Sequence, residues 1–182
     1  MKCGWVNIAK LANVEGIVLT QSHYKMINKV IFLDFDGVLN TEYYQGFLMY
    51  QGKPWQDQYG AFFDPEAILQ LKRIIDATNA DIVIESSWKY LGLEAMQEMW
   101  KVRQMPGRVI DTTLSHGISL GICKGEEIAS WLSHYATPET RYVIIDDEYV
   151  VLESQLPFFI LTNPYDGITS DVAGKAICIL NS

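Results

Sequence analysis

Three short, continuously apolar runs in the sequence each lead directly into acidic or hydroxyl residues. They occupy residues 30–33, 82–84 and 142–145. Strands that are buried on both faces of a parallel sheet have this continuous apolar character, and stretches with helical periodicity separate the runs. The alternation predicts an α/β fold, a Rossmann-like three-layer sandwich whose central sheet is mostly parallel.

Two stretches between these runs are predicted to be amphipathic helices. Asp64-Pro65-Glu66 is a favourable helix start, with Asp as the N-cap and Pro at the first helical position. A second helix is predicted after Lys124, where apolar residues recur at helical spacing: Ile128, Trp131, Leu132 and Tyr135. Phe158–Leu161 is predicted as a further strand, and Ser170 as the cap of a last helix.

A chain of 182 residues is long enough for one well-buried core and short for two domains. The alternating pattern begins near residue 29, so we expect one domain over residues 29–182 and an extension over residues 1–28. Residues 41–63 are rich in Tyr, Phe, Gln and Gly without a clear period. They are interpreted either as a small flap over a site or as an ordinary surface excursion, and no large cap is expected.

Charge and cysteine content narrow the classes of function. The 14 basic and 22 acidic residues give a net charge of −8, and the basic residues are scattered, which argues against strong general binding to nucleic acid or anionic lipid. The three cysteines have irregular spacing, which is typical of idle thiols in a reducing compartment. Because no apolar run approaches the roughly 20 residues of a membrane span and no signal-peptide core is present, a cytoplasmic location is expected.

The sharpest local signal is Asp34-Phe35-Asp36-Gly37, directly after the first apolar run. Two carboxylates two residues apart at a strand end, followed by a glycine that allows a sharp turn, can point into one crevice. Such a pair is unfavourable unless a cation or a proton is shared. Mg²⁺ takes oxygen ligands and is the predicted cofactor.

Further polar groups follow the other strands. Asp146-Asp147 can bring more carboxylate to the same sheet edge, and Ser86-Ser87 offers hydroxyl and backbone N–H donors. Lys124 opens a predicted helix, where a positive charge and the helix N-terminus both favour an anion. An acidic cluster, a hydroxyl group and a lysine are therefore predicted to converge at the carboxyl ends of the strands.

These motifs, in this order along the chain, resemble the haloacid dehalogenase (HAD) superfamily of phosphatases and phosphotransferases, from about Lys29 to the C-terminus. The family's first motif, a strand followed by Asp-x-Asp-Gly, is matched by residues 34–38. Its hydroxyl residue after the second strand is matched by Ser86, its helix-opening lysine by Lys124, and its acidic pair by Asp146-Asp147.

More narrowly, three segments are similar to the phosphatase-like domains associated with Swiss Army Knife RNA repair proteins. They are Ser86-Ser87-Trp88-Lys89, Lys124–Ile128 with Trp131-Leu132, and Ile144–Glu148. One departure concerns Glu85, which stands where relatives often carry a small hydroxyl residue. It is expected to put a carboxylate close to the bound phosphate.

The resemblance implies a Mg²⁺-dependent phosphomonoester hydrolase. Asp34 would form an aspartyl-phosphate and Asp36 would act as its acid and base, with Ser86 and Lys124 completing the catalytic set. The implied metal ligands are Asp34, Asp36 through its backbone carbonyl, Asp147 and, nearby, Asp146. The implied phosphate-binding residues are Gly37, Ser86 or Ser87, and Lys124.

The implied substrate is a phosphorylated small molecule or a nucleic-acid end, since an open site suits bulky phosphoesters and the acidic chain disfavours long contacts with a polymer. Two alternatives belong to other classes of protein. One is a catalytically idle relative that uses the acidic cluster only to hold a metal. The other, a phosphoacceptor signalling domain, fits poorly because its phosphorylated Asp follows a middle strand, where this chain has Glu85-Ser86.

Overall fold

The computed structural model describes residues 27–113 and 123–182. Its centre is a five-stranded sheet made of β1 (Lys29–Leu33), β4 (Asp81–Ile84), β5 (Val109–Thr112), β6 (Arg141–Asp146) and β7 (Phe159–Leu161). The strand order is β5-β4-β1-β6-β7, and every neighbouring pair is parallel. The predicted α/β architecture is confirmed, with β1 at the centre of the sheet.

Helices cover both faces of this sheet. They are α2 (Pro65–Thr78), α3 (Leu93–Val102), α4 (Lys124–Tyr135) and α5 (Ser170–Asn181). Along β1, Ile31 and Leu33 face a core shared with α2, α3 and α5, whereas Val30 and Phe32 face a smaller core shared with α4. Because successive strand residues point to opposite faces, a strand buried on both sides must be apolar throughout.

The helix starts follow from local chemistry. Asp64 caps α2 by accepting a bond from the Glu66 amide at 2.9 Å, and Pro65 takes the first helical position, as predicted. The last helix is capped by Thr169 rather than by Ser170, since the Thr169 hydroxyl accepts from the Val172 amide at 3.3 Å. Ser170 is instead the first helical residue, a shift of one position between two adjacent hydroxyl residues that are both favourable N-caps.

Residues 41–63, which show no clear period in the sequence, contain a helix, α1 (Glu42–Tyr50), and a two-stranded hairpin, β2 (Gln56–Asp57) and β3 (Gly60–Ala61). Thr41 caps α1 and donates its hydroxyl to Asp64 at 2.6 Å, which ties the start of α1 to that of α2. This segment follows the first motif directly.

None of the helices in the described part of the chain combines the length and apolar character that crossing a bilayer requires. The expected extension over residues 1–28 lies outside the described residues except for its last two.

Candidate functional site

The register of the sheet brings two of the acidic motifs together. Leu33, the last residue of β1, pairs with Ile84 on one side and with Ile145 on the other. Asp34 therefore lies at the level of Asp146, and the Asp34 amide donates to the Ile145 carbonyl at 3.1 Å. Parallel strands end at the same sheet edge, so residues 112 positions apart in the sequence become neighbours.

Three carboxylates gather at this edge. Asp34, Asp146 and Asp147 each offer an oxygen, and these oxygens all lie within 4.8 Å of one another. The Lys124 ammonium donates to Asp34 Oδ2 at 2.8 Å and to Asp146 Oδ2 at 2.7 Å. The structure thus unites the residues predicted from three separate motifs, in a group that could hold a metal ion.

The electrostatics of this cluster favour a bound cation. Burial and the nearby Asp34 carboxylate raise the pKa of Asp146 to about 6, and the same two causes raise the pKa of Asp147. Burial would lower the pKa of Lys124, but Asp34 and Asp146 overcome that effect and raise it. The carboxylates resist ionising together, and a hard divalent ion with oxygen ligands would relieve that repulsion.

Gly37 lets the acidic groups approach the loop closely. Its φ of +66° is one that other residues rarely adopt, and a Cβ there would overlap the Asp147 carboxylate. Its N–H donates to the Asn40 carbonyl at 3.1 Å within the loop. The visible role of Gly37 is therefore to leave room for Asp147, and its part in phosphate binding stays a prediction.

The carboxylate of Asp36 is not one of the three in the acidic cluster. Its Oδ1 accepts from the Asn40 amide at 2.7 Å and its Oδ2 from the Trp88 indole N–H at 3.1 Å. The side chain is exposed. The Asp36 carboxyl group is thus held outside the acidic cluster, and both its predicted role in proton transfer and the predicted role of its backbone carbonyl in metal binding stay predictions.

The two serines after β4 differ in exposure. Ser86 is fully buried and caps the 3₁₀ helix Ser87–Leu91, where its hydroxyl accepts a long bond from the Trp88 amide at 3.5 Å. Ser87 is exposed. Both serines follow the strand next to β1, and which of them binds phosphate stays a prediction.

Glu85 does not face the acidic cluster, contrary to the expectation of a carboxylate beside the phosphate. It is 1% exposed and accepts from the Lys89 ammonium at 2.7 Å. Lys89 also donates to Thr113 at 2.9 Å and to Glu127 of α4. Glu85 is drawn into the interior because its partner Lys89 lies one turn further along the chain and points inward. We call Glu85, Lys89, Thr113 and Glu127 the buried network.

The buried network connects two parts of the site. Glu85 immediately precedes Ser86, and Glu127 lies one turn after Lys124 in α4. Burial raises the pKa of Glu85 to about 8, although the Lys89 ammonium opposes that rise. The network fixes the start of α4 relative to the end of β4, and so the Lys124 ammonium relative to the serines.

Comparison with known families agrees with this geometry. A family model described as the HAD domain in Swiss Army Knife RNA repair proteins matches residues 30–173. The chain belongs to this family. The match begins in β1 of this HAD domain, ends in α5 and includes all four motifs. No curated protein and no solved structure matches the chain significantly.

Sequence reasoning missed Asn40 and the buried network as parts of this HAD domain's site. Asn40 is 2% exposed and holds Asp36. Its spacing of four residues from Asp36 is a weak signal, since a turn often ends in Asn. The bond from Trp88 to Asp36 joins residues 52 positions apart, a separation that no local sequence pattern reveals.

Proposed function

We propose that this HAD domain is a Mg²⁺-dependent phosphomonoester hydrolase that works through an aspartyl-phosphate on Asp34. The observation that supports it most directly is the Lys124 ammonium, which bonds to Asp34 and Asp146 beside the group of three carboxylates. A nucleophile, a positive charge and a metal-binding group in contact are what phosphoryl transfer to a carboxylate requires.

The proposed reaction has two steps. In the first, an oxygen of Asp34 forms a bond to phosphorus while the bond to the leaving oxygen breaks, and Asp36 gives that oxygen a proton. In the second, Asp36 takes a proton from a water molecule that attacks phosphorus, and the bond to Asp34 breaks. Inorganic phosphate and the free carboxylate of Asp34 result, so Asp36 ends in its starting form.

Negative charge is the main obstacle, because a carboxylate must approach a phosphate dianion. Lys124 offsets part of this repulsion from its place between Asp34 and Asp146. Mg²⁺ would be held by Asp34, by the Asp36 carbonyl and by Asp147, with Asp146 beside them, and would supply further positive charge to the phosphate oxygens. Ser86 or Ser87 and Gly37 would complete the phosphate site.

The proposed substrate is a nucleotide or the phosphate at a nucleic-acid end. The family description, which refers to RNA repair proteins, supports this class. The net charge of −8 argues for a short contact with a polymer rather than an extended one. A phosphorylated small molecule is the other member of the same chemical class.

The test is a panel of phosphoesters assayed with Mg²⁺ or with EDTA. It contains nucleoside monophosphates, end-phosphorylated oligonucleotides, glycerol phosphate and p-nitrophenyl phosphate. Hydrolysis should require Mg²⁺ and disappear in Asp34→Asn, whereas Asp76→Asn, which changes an exposed carboxylate on α2, should retain it. Undiminished hydrolysis by Asp34→Asn would reject the mechanism.

The second candidate function, an idle metal-binding module, gives a different result. It is favoured by the same carboxylate group, which could hold an ion without doing chemistry. In that case calorimetry would detect Mg²⁺ binding to the wild type, and the binding would weaken in Asp147→Asn, while no phosphoester of the panel would be hydrolysed.

A further inference from the structure

The carboxyl group of Asp36 is held at both of its oxygens. The Asn40 amide donates to Oδ1 at 2.7 Å, and the Trp88 indole N–H donates to Oδ2 at 3.1 Å. An exposed aspartate side chain normally exchanges between rotamers. These two bonds, one from the same loop and one from the 3₁₀ helix Ser87–Leu91, select one orientation of the carboxyl group.

Trp88 is itself fixed on several sides. The Gly60 backbone of the hairpin lies against its ring, since a Cβ at Gly60 would come within 2.6 Å of the indole. The ring also meets Phe35 edge-on, with centroids 5.5 Å apart, and packs against Phe63 at 5.8 Å. The Arg103 guanidinium lies 5.7 Å from its centroid. The indole N–H is therefore a donor with a defined position.

The neighbouring residue adds a further constraint on the same segment. Lys89, directly after Trp88, is 3% exposed and is anchored in the buried network through Glu85 and Thr113. The 3₁₀ helix Ser87–Leu91 thus has one side chain bonded to the interior and the next bonded to Asp36. A displacement of this segment would move the donor away from Asp36.

We propose that Trp88 is a positioning residue that orients Asp36 for proton transfer to the leaving group. The inference rests on the proposed function, because it needs Asp36 to be the acid. Each carboxyl oxygen has two lone pairs, so Oδ2 can accept the indole bond and still carry a proton. General acid catalysis depends on holding that proton in reach of the breaking bond.

The inference predicts a dependence on the leaving group. When the bond from phosphorus to an alkyl oxygen breaks, the alkoxide must receive a proton from Asp36. Nitrophenolate is stable without a proton, so its departure depends little on the acid. Loss of the indole donor should therefore slow the hydrolysis of an alkyl phosphate much more than that of p-nitrophenyl phosphate.

The experiment compares Trp88→Phe with the wild type and with Trp100→Phe. Phenylalanine keeps an aromatic ring at position 88 and removes the N–H. Trp100 belongs to the same aromatic cluster, but its N–H donates to the Pro106 carbonyl at 3.0 Å, so Trp100→Phe is the matched control. The measured quantity is kcat/KM, with Mg²⁺ present, for p-nitrophenyl phosphate and for the alkyl phosphate of the panel that the wild type hydrolyses fastest.

In Trp88→Phe, kcat/KM for the alkyl phosphate should fall at least about tenfold, and that for p-nitrophenyl phosphate about twofold or less. Trp100→Phe should affect both substrates alike. Equal losses on both substrates in Trp88→Phe would overturn the inference, because a purely structural defect lowers every rate together. If instead the wild type hydrolysed neither substrate, the proposed function itself would be rejected.

Discussion

Replacing Lys89 by methionine removes an ammonium that three groups share in the interior. The Lys89 side chain is 4% exposed and that of Glu85 is 1% exposed. Methionine retains much of the apolar stem, so the change is mainly electrostatic. Glu85 and Glu127 would then be left in the interior without their cation. The interior would hold an unpaired carboxylate, or one of the two glutamates would have to take up a proton.

The size of the effect follows from this burial. Removing one partner of a buried ion pair typically costs about 3–5 kcal/mol, whereas an exposed pair contributes about 0.3–0.5 kcal/mol. Lys72 provides the matched control, since it pairs with Asp76 at the same four-residue spacing and at 2.6 Å, but with side chains 57% and 61% exposed. We therefore expect Lys89→Met, but not Lys72→Met, to lower the free energy of unfolding by several kcal/mol.

The stability lost in Lys89→Met should also depend on pH. Burial raises the pKa of Glu85 from 4.5 to about 8 against the opposing effect of Lys89. Because the pKa of Glu85 is higher in the folded chain than in the unfolded chain, Glu85 stabilises the folded state fully below about pH 4.5. This stabilisation is lost as the pH rises through about 8. Removing Lys89 raises the pKa of Glu85 further, so the gap between wild type and variant should widen with rising pH.

The assay is urea unfolding followed by tryptophan fluorescence, at pH values below and above this window. Adding Glu85→Gln and Glu127→Gln to Lys89→Met removes the stranded charges, and should recover part of the stability and abolish the widening of the gap. Equal losses in Lys89→Met and Lys72→Met would refute the reasoning, since burial would then make no difference to the pair.

Three other changes test the site and the hairpin. Gly37→Ala places a Cβ on the Asp147 carboxylate, so calorimetry should show Mg²⁺ binding weakened about tenfold or more; unchanged affinity would mean that Asp147 is not a ligand. Asp147→Asn should weaken Mg²⁺ binding but raise the thermal midpoint in EDTA, because it removes a carboxyl group whose pKa is raised by burial and by the Asp34 carboxylate; a lower midpoint would contradict this. Arg103→Met loses bonds to Asp57 and to the Gly60 and Ala61 carbonyls, so amide hydrogen exchange should accelerate in residues 56–61 and not in α2.

The sheet and the acidic cluster could be predicted from the sequence because each depends on short-range patterns. A strand buried on both faces has to be continuously apolar, and residues that follow parallel strands have to meet at one edge. Asp34 and Asp146 could therefore be placed together without knowledge of the packing. The register between β1 and β6, in which Leu33 pairs with Ile145, then sets Asp34 beside Asp146.

The helix α1 and the buried network could not be predicted in the same way. The stretch Glu42–Tyr50 has no regular apolar face, and its start is fixed by the Thr41 bond to Asp64, a partner 23 residues away. Glu85 and Lys89 have the spacing of a solvated surface pair, like Lys72 and Asp76. Their burial is decided by distant elements, α4 above all, which no local pattern records.

The aspartyl-phosphate on Asp34 is the central claim, and trapping it is the most direct test. The protein would be mixed with Mg²⁺ and a radiolabelled phosphoester from the panel, quenched in acid within the first turnover, and digested for peptide mapping. The account predicts an alkali-labile acyl phosphate on the peptide that contains Asp34, and none in Asp34→Asn. Hydrolysis of the same substrate with no label on the protein, or with label on Ser86, would contradict it.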